Sequence, residues 1–104
     1  MERSFYIAGV QHHQMNKVLD FLDEGMELEL VPEPTNKFDP NAIRIEFNGT
    51  MLGYVPKKFS SEVSGAIELG VELECIISKF NKSASPWEQC EVLISEINEE
   101  GEVA

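Results

Sequence analysis

The chain has 104 residues, of which 42% are apolar and only two are cysteines, and its net charge is −11. A chain of this length forms one domain that buries roughly 65% of its unfolded surface, and two cysteines make no disulfide framework. No apolar run approaches the roughly 20 residues of a bilayer span. The opening Met1-Glu2-Arg3-Ser4-Phe5 carries no apolar leader, so a cytoplasmic protein without membrane contact is expected.

Phe5 to Val10 reads as a first strand that ends at a glycine turn. From His13 to Glu24 the period changes, because Met15, Val18, Leu19 and Leu22 follow helical spacing, and Gly25 suits the C′ position. Met26, Leu28 and Leu30 alternate with Glu27 and Glu29, the pattern of a half-buried strand. Residues 32–41 contain three prolines, which remove three donors and fix three φ angles, so this stretch is a rigid loop. Ile43, Ile45 and Phe47 form the next strand, and Asn48-Gly49 is a type I′ hairpin signal. The returning strand runs from Thr50 to Val55. Ser60 or Ser61 is expected to cap a second helix closed by Gly70. Strands follow over Val71 to Phe80 and Trp87 to Ile97, with Cys75, Ile77, Cys90, Val92 and Ile94 inward. The predicted fold is mainly β with two short helices, in the order β-α-β-β-β-α-β-β, closing into a small OB-like or SH3-like β-barrel. One domain spans residues 1–98, and residues 99–104, with Glu99, Glu100 and Glu102, form an acidic tail expected to fray.

Chemistry-bearing motifs are few. There is no Gly-rich phosphate loop, no GxSxG and no nucleophile–base spacing, so a binding module rather than an enzyme is expected, without a cofactor. His12 and His13 with Cys75 and Cys90 match no standard zinc spacing. The cysteines read as core thiols and the histidines as a solvated or capping pair near a helix start. Tyr54 and Trp87 read as barrel residues with a polar edge. The 36–41 loop is more specific. Asp39 beside Phe38, Asn36 and Asn41 combines an acceptor for a sugar hydroxyl with a ring that stacks a base. The plainer reading is that Asp39 and Asn41 hold the loop by Asx turns. Between Glu33 and Phe59, four basic residues face three acidic ones, so this window is +1 and the remainder carries −12. Screening over roughly 8–10 Å lets one face differ in sign from the whole.

The stretch Glu33-Pro34-Thr35-Asn36-Lys37-Phe38-Asp39-Pro40-Asn41-Ala42-Ile43, followed by Leu52-Gly53-Tyr54-Val55-Pro56, resembles the HIRAN domain. Ile7-Ala8-Gly9-Val10 is similar to the opening strand of that family, and the resemblance covers about residues 5–80. It implies a β-barrel that recognises free 3′ ends of single-stranded DNA, best known fused to helicase-like remodelers of stalled forks. The family pocket then falls on Asn36, Phe38 and Asp39, with Asp39 accepting from the 3′-hydroxyl, Asn41 behind them, and Tyr54 and Lys57 beside them. The first strand departs from the remodeler branch, which has an arginine and two tyrosines where this chain has Gln11, His12 and His13. These three are expected to support the bases and phosphates, but no permanent charge remains there.

Three functions follow as expectations. The first is capture of single-stranded DNA 3′ ends in repair or replication-fork processing, beside a separate helicase or nuclease. The second is a protein-interaction module for a basic partner that kept the barrel and lost DNA binding. The third is a small hydrolase or metal protein. Mutation of Phe38 and Asp39 separates the first two, and metal analysis tests the third.

Overall fold

The computed structural model describes residues 1–97, so the acidic tail with Glu99, Glu100 and Glu102 lies outside the described residues. Its elements are β1 (Glu2–Tyr6), α1 (Met15–Val18), β2 (Glu27–Pro32), β3 (Ile43–Phe47), β4 (Thr50–Tyr54), α2 (Lys57–Glu68), β5 (Leu73–Phe80) and β6 (Cys90–Glu96). The expected element order is the observed one.

The six strands form one antiparallel sheet in the order β1-β6-β5-β2-β3-β4. The sheet curls into a half-barrel because the chain leaves β1 and crosses to the far edge. There Ala8 and Tyr54 form an antiparallel bridge. The Ala8 N–H donates to the Tyr54 carbonyl at 2.9 Å, and the Tyr54 N–H donates back at 2.8 Å. Alternation along the strands places Phe5, Leu28, Ile43, Ile45, Leu52, Cys75, Ile77, Val92 and Ile94 inside, with Ile7 just past β1 and Val63 of α2 in the same core. Each large aliphatic side chain buried this fully stabilises the fold by about 1.5–3 kcal/mol. Burial also pushes the thiols of Cys75 and Cys90 up to about 12, so both are protonated core residues, as expected.

Local chemistry decides several turns. Asn48 and Gly49 take φ of 47° and 79°, the doubly positive pair of the expected hairpin. Gly70 ends α2 at φ 80°. Elsewhere tertiary contacts override the local pattern. The expected helix over His13 to Glu24 is only one turn, Met15–Val18, followed by a 3-10 turn over Leu19–Phe21. Val18 leaves the helical region at φ −118°, and Leu22 turns extended and enters the core at 5% exposure. Gly25 has the expected positive φ, but its N–H donates to Ile77 O and starts the β2–β5 pairing instead of closing a helix. β1 begins and ends earlier than expected; Ile7 keeps one hydrogen bond to Cys90 O of β6 at 3.1 Å, and from Ala8 the chain pairs with β4. α2 begins at Lys57 after Pro56 and has no side-chain cap, so neither Ser60 nor Ser61 is its N-cap. β6 begins at Cys90, and Trp87 stands in a 3-10 turn at 58% exposure rather than in the barrel wall. Among the described residues no helix is long and apolar enough to cross a membrane.

Candidate nucleic-acid interface

The loop between β2 and β3 is rigid because its own side chains satisfy its backbone. Asn36 Oδ1 accepts the N–H groups of Phe38 at 2.9 Å and Asp39 at 3.0 Å. Asp39 Oδ1 accepts the Asn41 N–H at 2.9 Å, an Asx turn. The loop base closes through Glu33 N–H on Ala42 O at 2.9 Å and Ala42 N–H on Asp39 O at 3.0 Å. With its neighbours held this way, Phe38 stands 91% exposed.

Two carboxylates tie the loop to the barrel. Asp39 Oδ2 accepts the hydroxyl of Ser60, a buried residue of α2, at 2.7 Å. Glu33 Oε1 accepts both the Asn36 amide at 2.7 Å and the Tyr54 hydroxyl at 2.8 Å. Glu33 Oε2 faces Arg44 Nε at 3.5 Å, and Arg44 also meets Glu46 at 3.1 Å. The Ser60 hydrogen bond, joined by the Asn41 N–H, holds the Asp39 carboxyl below its ordinary range. Burial pushes Glu33 up, but the bonds from Asn36 and Tyr54 and the charge of Arg44 outweigh it, so Glu33 also lies below its ordinary range. Burial and the bond to Glu33 raise the Tyr54 phenol. Burial and the neighbouring His12 lower His13, against a smaller opposing effect of Glu33.

A cavity of about 460 Å³ opens between this loop, β4 and the start of α2. Asn36, Phe38, Asp39, Tyr54 and Lys57 supply its polar and aromatic wall, and Ala8, Gly9, Ala42 and Val55 supply its apolar remainder. Five of the eight sequence-predicted residues therefore meet in one place. Gln11 and His13 line a separate cavity of about 270 Å³ with Asn16 and Gln89, over a floor that includes Val10 and Met15. His12 is exposed and lines neither. The two cavities adjoin where the His13 ring meets Tyr54 edge-on, with centroids 5.5 Å apart.

Two residues that brace the site, Ser60 and Glu33, were not singled out for it in the sequence, and Trp87 was misplaced. Ser60 looked like a helix cap, and nothing local signals that it faces Asp39. Glu33 sits inside the loop motif with no evident role until its partners are seen. Trp87 follows Pro86 in a turn-rich stretch, which was the available sign that it lies outside a strand.

Asp39 is an ionised acceptor next to an exposed ring and a lysine, and Asn36 has one amide hydrogen left over. The wall thus offers an acceptor, a donor and a stacking surface within one opening. Fold and site together define a small half-barrel binding module that presents a rigid polar-aromatic loop over a pocket. The chain belongs to the HIRAN domain family, which it matches over residues 2–95. Two solved structures share its fold. The HIRAN domain of human HLTF has a TM-score of 0.72 at 13% identity, covering 91% of this chain and 74% of that one. A protein from Lactobacillus plantarum has a TM-score of 0.76 at 19% identity, covering 90% of this chain and 95% of that one. No curated protein matches the chain in sequence.

Proposed function

We propose that this domain captures the 3′-hydroxyl end of single-stranded DNA and does no chemistry of its own. The observation that carries the reading is Phe38, 91% exposed on a fully braced loop, next to the Asp39 carboxylate at the mouth of a cavity of about 460 Å³. An exposed phenylalanine held this way has no packing role, whereas a nucleobase offers it a stacking partner. The terminal sugar hydroxyl donates to Asp39 and accepts the free Asn36 N–H, while Lys57 meets the adjoining phosphate. A 3′-phosphate brings negative charge against Asp39 and is rejected. The next nucleotide lies toward the second cavity, where Gln11 and His13 support it and the exposed Trp87 beyond Pro86 offers a second ring. Family membership supports a binding role on DNA. The work is DNA repair or fork processing in the cytoplasm, beside a helicase or nuclease partner, with any motor supplied by a separate ATPase.

Fluorescence anisotropy at low salt tests this with a short strand ending in 3′-hydroxyl, the same strand ending in 3′-phosphate, and a blunt duplex. Preference for the 3′-hydroxyl strand, lost in Asp39→Ala, is expected. Equal binding of the two strand ends overturns the mechanism. A folded protein that binds none of them favours the alternative, an interaction module for a basic protein, to which the charge of −11 and the uncharged Gln11 and His13 already lean.

A further inference from the structure

Glu33 does not line the end pocket, yet it controls two groups that do. A phenol has one proton, and that of Tyr54 goes to Glu33 Oε1 at 2.8 Å. Tyr54 therefore keeps only lone pairs for a ligand. The Asn36 oxygen is taken by two backbone N–H groups, and one hydrogen of its nitrogen goes to the same Glu33 oxygen at 2.7 Å. One N–H remains. Glu33 stays ionised and fixed through those two bonds and, less strongly, through the charge of Arg44. Arg44 Nε is buried without a hydrogen-bond partner and lies 3.5 Å from Glu33 Oε2, so the two charges hold each other in place.

We propose that Glu33 is a positioning residue that sets the hydrogen-bond polarity of the end pocket. It takes the Tyr54 proton and one Asn36 hydrogen, so that Tyr54 and Asp39 face the ligand as acceptors and Asn36 as a single donor. This rests on reading the pocket as the end-capture site. Its consequence is specificity: a terminal group must donate a hydrogen to be held. A 3′-hydroxyl or 3′-amino end does so, and a 3′-phosphate or 3′-O-methyl end does not. Without Glu33 the Tyr54 proton is free to turn into the pocket, which then offers a donor to the ends it now refuses.

Glu33→Gln tests the assignment with two readouts that a merely structural brace would leave unchanged. The first needs no ligand. In an ultraviolet titration of the phenols, Tyr54 is expected to titrate at lower pH in the variant than in the wild type. The second is the ratio of affinities for 3′-hydroxyl and 3′-phosphate strands, expected to fall roughly tenfold, about one charge-assisted hydrogen bond. Equal weakening toward both ends, with the Tyr54 titration unmoved, overturns the proposal. Tyr54→Phe combined with Glu33→Gln should be non-additive in that ratio, and additive effects count against it. Should Glu33→Gln fail to fold, wild-type protein still decides. Nuclear magnetic resonance should find the Tyr54 hydroxyl proton protected from exchange, both free and strand-bound, and a freely exchanging proton overturns the role. If the wild type binds no strand at all, the end-capture reading falls. The phenol titration then judges the control of Tyr54 by Glu33 alone.

Discussion

A Cβ placed on Gly53 would stand 2.3 Å from the Ala8 carbonyl oxygen and 2.7 Å from Cγ2 of Ile7. The close approach exists because Ala8 and Tyr54 exchange both of their backbone hydrogen bonds there, joining the two ends of the curled sheet. Gly53→Ala therefore forces the seam apart. The cost expected is about 3 kcal/mol or more, the overpacking penalty plus strained or lost hydrogen bonds. Denaturant unfolding measures it. Because Ala8, Gly9 and Tyr54 all border the end pocket, strand binding should fall with it. An unchanged midpoint would mean that the seam has slack.

Phe38→Ala should have the opposite profile. The ring is 91% exposed, so unfolding stability should stay within about 0.5 kcal/mol of the wild type. Affinity for a single strand should drop by about 1–3 kcal/mol, the value of one stacked base. Phe38→Tyr should retain most of the affinity. A variant that binds as well as the wild type would remove the stacking role.

Lys57 is the cation that lines the pocket. If it neutralises one phosphate, the slope of log K against log salt should become shallower by about 0.7 in Lys57→Gln, the single-strand value per contact. The change should be the same for strands of different sequence, since a phosphate contact carries no base information. An unchanged slope would place the phosphates elsewhere.

Acid should weaken the fold in two stages. His13 is lowered in the folded protein from 6.5, so the unfolded chain binds more protons between the two values. Its contribution is therefore intact above pH 6.5, falls as the pH drops through that value, and levels off below the folded pKa. Glu33 and Asp39 are lowered from 4.5 and 3.8, so the stability they add is complete above those values and is lost as the pH falls through their folded pKa values. Melting curves of wild type and His13→Phe should diverge between about pH 7 and 5.5, with the wild type losing more. Both should then decline together below about pH 4. Parallel curves across the upper window would show that His13 is not held neutral.

What the sequence by itself determined is what neighbouring residues decide among themselves. The alternation of β3, the Asn48-Gly49 turn, the stiff proline loop with Asn36, Phe38 and Asp39, and the family pattern all depend on chemistry within a dozen positions. Only the tertiary structure decided what depends on distant partners. Met15 to Leu22 has a helical period, yet the core needs Leu22 in an extended backbone, and one turn of helix is left. Ser60 has the composition of a cap, but the Asp39 carboxylate 21 positions away takes its proton. Gln11 and His13 look continuous with the loop residues, and the crossing of Ala8 over β4 assigns them to a separate cavity. The physical reason is the same in each case. A hydrogen bond or a packed side chain contributes only when its partner is brought within reach, and closing the half-barrel is what brings Ala8 to Tyr54, Tyr54 to Glu33 and Ser60 to Asp39.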